Sequence, residues 1–537
     1  MSAWWWVLIG IGAFLVLVAI HDVVQRRHAI LRVFPNIGHL RYILEAFGPE
    51  LRHYIVTSND EERPFSHSQR RWIYAGGEHQ DNSFGFATDA EFERSPGYLI
   101  ISPSAFPAPP PEEGDSDDRP LPSAKVLGGP RDRPGALRPA SVVNISGMSF
   151  GALSARAVES LNAGAALAGC MQTTGEGGLT PYHLQGGELV MQFGTGWYGA
   201  RDSRGCLDLP RLVELVQANP IRAVEIKMSQ GAKPGVGGML PGSKVTPEIA
   251  AIRGVEPGRP CVSPSVNPGF GNVDELLDPV ERIAEATGLP VGIKSAVGDP
   301  RFWSDLARHM DGGSRGVDFI TIDGGEGGTG SGPLSFIDHV RLPYRQAQAR
   351  ALRAFAERGI QHRVTWIGSG RPGLPEESIM AFALGADMIN VGREAMLSIG
   401  CMQAQRCHTG HCPSGVATQS AWRRRGIDPT LTSARAAAHI ITMRREITRL
   451  ARATGVDHPS QVSLDHIEVL EGDILTPVAQ RFGITPGGPC PWRSRGPQPL
   501  ASGPSAHPAP RHMARSMSAG DATPSSARRR ASSIAAA

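Results

Sequence analysis

DFITIDGGEGGTGSGP, from Asp318 to Pro333, is a short apolar run that stops in a chain of glycines. β-Branched and aromatic residues favour an extended strand, and glycines free the backbone to turn and to approach a ligand closely. The same order recurs along the chain from Ser141. On the N-terminal side stand VVNIS from Val142, CMQTT from Cys170, AVEIKMS from Ala223, CVSPS from Cys261 and PVGIKSA from Pro290; on the C-terminal side stand RVTWIGS from Arg363 and ADMINVG from Ala386. Each run is followed by a helical stretch. Repeated strand-then-helix order calls for a parallel sheet, and eight units over roughly 250 residues are what a closed (β/α)8 TIM barrel requires. A doubly wound sheet is the alternative. The barrel is preferred because polar, glycine-rich segments follow nearly every run and so gather at one mouth.

Three of these segments point to a phosphate. Asp323, Gly324, Gly325, Gly327, Gly328, Thr329 and Gly330 follow the sixth run; Gly368, Ser369, Gly370 and Arg371 end the seventh; Gly392 and Arg393 end the eighth. Glycine lets backbone N–H groups reach an anion, and a helix that starts there favours negative charge.

The 537 residues, 41% hydrophobic and 20% charged, have the make-up of a folded, enzyme-sized protein. A net charge of +3, with the basic residues scattered, gives no footprint for nucleic acid. The odd count of seven cysteines argues against a disulfide framework and for a reducing compartment.

Three of those cysteines, Cys401, Cys407 and Cys412, fall within Gly400 to Gln419, GCMQAQRCHTGHCPSGVATQ. Gly400, Gly410, Pro413 and Gly415 prevent a long helix there, so several thiols can turn towards one centre. Three thiolates suit an iron-sulfur cluster. Zinc would want a fourth ligand from His408 or His411, and three free thiols in a glycine-rich loop would need no ligand. The spacing C-x5-C-x4-C, the proline after it and the GVATQ tail resemble the loop of glutamate synthases that holds a [3Fe-4S] cluster beside an FMN-bearing barrel. The resemblance covers about Pro35 to Val469 and includes GHLRY and NDEERPFS segments ahead of the barrel.

That resemblance implies roles for particular residues. It assigns the three glycine loops to the FMN phosphate and ribityl chain, Met148 and Ser149 of ISGMSFGAL to the flavin ring, and Lys294 to the pyrimidine side of the flavin. In EIKMSQGAKPGVGGMLPGSKV, from Glu225 to Val245, Lys227 ends the third run while Gln230 and Lys233 follow it. Two lysines and an amide at one strand end suit a dicarboxylate, which needs one cation for each carboxylate. By resemblance this loop binds 2-oxoglutarate and its imine, Arg253 of IAAIRGV clamps a carboxylate, and Glu176 of TGEGG is the acid at the second strand end. Lys227, Glu176 and Lys233 are the candidate catalytic residues. Two departures bear on the acceptor: the family's GEGGQLPG reads GVGGMLPG, with Val236 and Met239, and SPPPHH reads SPSVNP at Ser263 to Pro268.

Trp4 to Ile20 is uninterrupted apolar sequence, near the roughly 20 residues a spanning helix needs. No Lys or Arg precedes it and no small-residue cleavage site follows, which favours a retained anchor over a signal peptide. Three tryptophans at its start suit an interfacial belt, and Arg26, Arg27 and Arg32 after it favour a body in the cytoplasm. The expected organisation is an anchor over residues 1–33, an irregular extension packing on the barrel over 34–140, the barrel over 141–470, and a largely disordered Pro-, Ser- and Ala-rich tail over 471–537. One amphipathic helix is expected from Gly38, and an Arg-rich helix on the barrel's outside from Thr432 to Arg452.

With no glutaminase-type N-terminal cysteine and no strand-GxGxxG-helix unit, the expected protein takes ammonia from a separate source and electrons from a separate donor. The expected activity is reductive amination of 2-oxoglutarate. The alternatives are another imino or oxo acid, as in an N-methylglutamate synthase-like subunit, or a non-catalytic, membrane-tethered electron-transfer or scaffold subunit.

Overall fold

The computed structural model describes residues 3–25, 29–51, 60–80, 82–83, 85–88, 90–92, 95–110 and 120–484. Eight parallel strands close into a barrel: β1 (Val143–Ile145), β2 (Gln172–Thr173), β3 (Leu189–Phe193), β4 (Ile221–Lys227), β5 (Val291–Ser295), β6 (Phe319–Asp323), β7 (Thr365–Ser369) and β8 (Met388–Val391). Pairing of Ile389 with Val143 closes the ring. Every residue of β3, β5, β6 and β7 is buried. Helices cover one face and the barrel filling covers the other, so these strands read as continuous apolar runs.

One expected strand lies elsewhere. Cys261 and Val262 pair antiparallel with Leu240 and Met239 in a small hairpin outside the barrel, and the third barrel strand is instead Leu189–Phe193, LVMQF. Between β2 and β3 the chain makes only the short 3-10 turn Pro181–His183. A count of strand-then-helix units therefore passes over β3. CVSPS meets Pro264, which has no N–H to extend a ladder. Lys227 thus ends the fourth barrel strand, not the third.

The outer helices follow local signals. Ser154 caps the helix Ala155–Ala168 by accepting from the Ala157 N–H, and Gly169 ends it at φ +63°. The Arg-rich helix forms over Pro429–Ala453 and crosses Ala155–Ala168 at backbone contact, since a Cβ on Gly164 would stand 2.6 Å from the Ala436 Cβ.

Ala3–Val24 forms one helix, long and apolar enough to cross a bilayer, as a signal sequence also is. Arg26, Arg27 and the chain from residue 485 lie outside the described residues. The amphipathic helix forms over Gly38–Leu51, with its apolar stripe exposed. Helix His67–Gly77, closed by a Ser66–Gln69 capping box, packs on Pro429–Ala453. Strand Tyr98–Ile101 pairs with Ile467–Glu471, which pairs with Ile474–Pro477. Regular structure therefore continues past residue 470.

Candidate active site

β4 ends at the mouth in Lys227, and the loop after it brings Gln230 and Lys233 back to the same place. Lys227 Nζ donates to Glu176 Oε1 at 3.0 Å and to Gln230 Oε1 at 3.3 Å. Gln230 Nε2 donates to the Gly328 carbonyl at 2.7 Å, and Lys233 Nζ to the carbonyls of Ser331 at 2.7 Å and Gly237 at 3.3 Å. These bonds lash the lysine loop to the glycine loop after β6. Arg253 ends helix Pro247–Arg253 and donates to the Phe150 carbonyl at 3.1 Å and to Ser149 Oγ at 3.5 Å. Burial opposes the charge on Glu176, but Lys227, Lys233 and Arg253 outweigh it and hold the carboxyl below its ordinary range. Burial, followed by repulsion from Lys227, pushes the Lys233 ammonium down. One carboxylate thus faces three cations.

Deeper in the barrel, Lys294 Nζ stands 3.6 Å from Asp323 Oδ2, and that oxygen accepts the Gly231 N–H at 3.0 Å. Glu225, two residues before Lys227, is buried and accepts from Gln192 Nε2 and Thr321 Oγ1. Met148 and Ser149 cross Gly175, whose φ is +74°. A Cβ there would lie 2.6 Å from the Ser149 nitrogen, so glycine is what lets the β1 loop settle into the mouth.

The glycine loops after β6 and β7 interlock. A Cβ on Gly370, at φ +101°, would meet the Gly324 carbonyl oxygen at 2.8 Å, and the Gly324 N–H donates to the Ser369 carbonyl at 2.9 Å. The backbone N–H groups of Gly370 and Arg371 donate to no group among the described residues, and Gly330 borders open space. That arrangement fits a phosphate. Arg393 donates to the Gly370 carbonyl at 2.9 Å and lies 4.8 Å from the Phe65 ring centroid. The Arg371 guanidinium is committed elsewhere, to Glu377 at 2.6 Å and Glu326 at 3.4 Å. Its backbone N–H and its unpartnered Nε remain for a ligand.

In the cysteine loop, Cys412 is buried and Cys401 and Cys407 are half-buried. Burial pushes the Cys401 thiol up to about 12, with smaller contributions from Cys407 and Cys412. Among the described residues no set of three or more His, Cys, Asp or Glu side chains is gathered closely enough to hold one metal ion. A mononuclear zinc site therefore does not fit. Thiolate chemistry suits an iron-sulfur cluster, but the three thiols are not gathered into such a group among the described residues.

Several contributors escaped the sequence reading. Lys244 sits in the quoted lysine loop; its buried Nζ donates to the carbonyls of Ala152 at 2.7 Å and Cys407 at 3.2 Å, joining the β1 loop to the cysteine loop. Burial lowers it to about 8. Gln403 donates to Glu62 at 3.1 Å and to the Phe65 carbonyl at 2.9 Å, while Tyr74 donates to the Cys401 carbonyl at 2.8 Å. Glu62 in turn meets Arg70 at 2.7 Å. The extension ahead of the barrel thus buttresses the cysteine loop.

Comparison with known proteins bears on this arrangement. Residues 135–457 match the family model described as a conserved region in glutamate synthase. A glutamate synthase large subunit-like protein of Bacillus subtilis is 35% identical over 83% of this chain and 91% of its own. An archaeal glutamate synthase [NADPH] of Methanocaldococcus jannaschii is 34% identical over 59% of each chain. Among solved structures, a flavocytochrome b2 variant with sulfite bound aligns over 84% of this chain and 89% of its own, with 12% identity and a TM-score of 0.40. On the family match and the Bacillus relative, this chain belongs to the glutamate synthase family.

Proposed function

We propose that this chain is an FMN-dependent oxidoreductase that reduces the imine of 2-oxoglutarate to glutamate, with electrons arriving through a [3Fe-4S] cluster on Cys401, Cys407 and Cys412. The observation that carries the reading is the excess of positive charge at the mouth: Lys227, Lys233 and Arg253 converge on the single carboxylate of Glu176. A dicarboxylate completes that set, one carboxylate to Arg253 and one to Lys233. Lys227 Nζ, oriented by Glu176 and Gln230, is the proton donor at the imine nitrogen. Bound FMN supplies the hydride. The free N–H groups of Gly370 and Arg371 would hold its phosphate, and Lys294, Met148 and Ser149 would lie along its ring. The electron donor and the ammonia source are separate molecules, and the Ala3–Val24 helix anchors the body on the cytoplasmic side of a membrane.

A second reading has its own observation. Met239 and Val262 pair across the hairpin beside Glu176, and both are exposed. An apolar rim there favours an acceptor that carries an alkyl group, such as an N-methyl imine.

The test is anaerobic purification with flavin and iron counted per chain, followed by turnover of 2-oxoglutarate with ammonia and then with methylamine. One FMN with about three irons and glutamate as the product supports the main reading, whereas N-methylglutamate formed in preference supports the second. Well-folded protein with neither cofactor, whose 2-oxoglutarate binding is unchanged by Lys233→Ala, overturns both and leaves a scaffold.

A further inference from the structure

Soluble domains do not leave a long apolar stripe in water without a use for it. Helix Gly38–Leu51 exposes Leu40, Ile43, Leu44, Phe47 and Leu51, and Phe34 and Ile37 just before it are exposed as well. The helical residues recur at i, i+3, i+4, i+7 and i+11, which is one face, and position 45, five residues after Leu40, falls off it by spacing. Nothing among the described residues covers the stripe. The sequence reading expected this helix to pack on the barrel.

The helix is also held in a defined relation to the Ala3–Val24 helix. Asp22, the only carboxylate in that first helix, is buried at its C-terminal end. It accepts the Asn36 N–H at 3.0 Å and bonds His39 Nε2 at 2.9 Å, and Asn36 Nδ2 donates to the Leu15 carbonyl at 3.2 Å. A polar clasp therefore folds the chain back where the first helix ends. Between Val23 and Leu44 the sequence carries four arginines, at 26, 27, 32 and 41, and no acidic residue. Apolar residues on one face, positive charge around the junction and an adjoining spanning helix together match a helix lying in the plane of an anionic bilayer surface.

We propose that Gly38–Leu51 is an interfacial helix whose Leu40–Ile43–Leu44–Phe47–Leu51 face is buried among the acyl chains, set at the membrane surface by the Asp22–His39–Asn36 clasp. The occupant of the stripe is lipid, not a partner protein. This rests on the reading of Ala3–Val24 as a membrane span, and the test separates the two.

A photoreactive benzoylphenylalanine is placed, one site at a time, at Leu15, Phe47 or Glu45 in the full chain. Each variant is reconstituted in vesicles of phosphatidylcholine and phosphatidylglycerol, irradiated, and lipid adducts are counted by mass spectrometry. The expected result is adducts at position 15, at least fivefold more adducts at 47 than at 45, and a fall of that ratio towards one in His39→Ala. Adducts at 15 with none at 47, equal yields at 47 and 45, or cross-links from 47 to protein overturn the interfacial helix while the span stands. Adducts at none of the three positions overturn the span and the inference together.

Discussion

The two ends of this barrel both bury ionised groups, and they balance them differently. At the end where the strands begin, Asp318 precedes β6 and Asp387 precedes β8. Asp318 accepts the Val291 N–H at 2.7 Å and Asp387 the Trp366 N–H at 2.8 Å. Arg133 meets Asp318 at 3.0 Å and Glu281 at 3.0 Å, Arg131 meets Glu281 at 2.6 Å, and Lys125 meets Asp387 at 3.0 Å. Three cations answer three carboxylates. At the mouth and just below it, Lys227, Lys233, Arg253 and Lys294 face Glu176, Asp323 and the deeper Glu225. Four cations against three carboxylates leave one positive charge uncompensated. Buried charge is tolerated when paired and costly when not. The lower cluster therefore serves the fold, and the upper one is arranged for an anion that is not part of the chain.

If that division is right, matched substitutions at the two ends should have opposite consequences. Lys227→Ala removes the proton donor and should lower turnover of the 2-oxoglutarate imine by about 10²–10⁴, with little change in thermal midpoint. Rapid-mix kinetics beside calorimetry on the same sample checks both halves, and a large loss of stability would refute the division. Arg133→Ala should do the reverse. It strips the buried Asp318 of its main partner and leaves the half-buried Glu281 to Arg131, and the break of a buried pair costs ~3–5 kcal/mol. Urea unfolding reads that loss, while turnover per folded molecule should stay near the parent value.

The difference between the ends also shows what the sequence could reveal. Part of the mouth was legible because it is local: Lys227, Gln230 and Lys233 lie within seven positions, and each glycine loop directly follows its strand, whereas Glu176, Arg253 and Lys294 came only from the family resemblance. The lower cluster draws on Lys125, Arg131, Glu281, Asp318 and Asp387, which no spacing rule connects. The Glu62–Gln403 bond joins residues 341 positions apart, so the part the extension plays at the cysteine loop was hidden as well. β3 was missed for a related reason, since strand-helix alternation breaks where only a 3-10 turn precedes it. Arg371 is expected at the anion site from sequence, and the structure adds that Glu377 and Glu326 also bond its guanidinium. Side-chain commitments of that kind follow from packing, and periodicity does not carry them.

The charge excess predicts a pH signature for binding. Burial and Lys227 hold the Lys233 pKa below its ordinary 10.5. Between that folded value and 10.5 the native state binds fewer protons than the unfolded chain, so this group's contribution to stability rises with pH there. A bound dicarboxylate restores the ammonium. Binding should therefore take up protons in the alkaline range, and affinity should weaken as pH rises through the folded value. Calorimetry of glutarate in buffers of different ionisation enthalpy measures the uptake. Lys233→Arg, which stays charged, should remove the pH dependence within that window and keep tighter binding at its upper end, and an unchanged profile in that variant would place the titration elsewhere.

The smallest expected effect tests the rim of the mouth rather than its floor. Met239 pairs with Val262 in the hairpin beside Glu176, and its side chain is 48% exposed. Its exposure means that Met239→Gln opens no cavity, so any kinetic change reports contact with substrate. A neutral hydrogen bond is worth about 0.5–1.5 kcal/mol net, which converts to roughly two- to tenfold in kcat/KM. With 2-oxoglutarate and ammonia the substitution should raise kcat/KM by that factor if the acceptor carboxylate lies against the hairpin. With an N-methyl imine the same change should lower it, because a polar amide replaces apolar contact with the methyl group. The sign of the change in the ratio of the two, measured on one preparation, decides which acceptor the rim was shaped for.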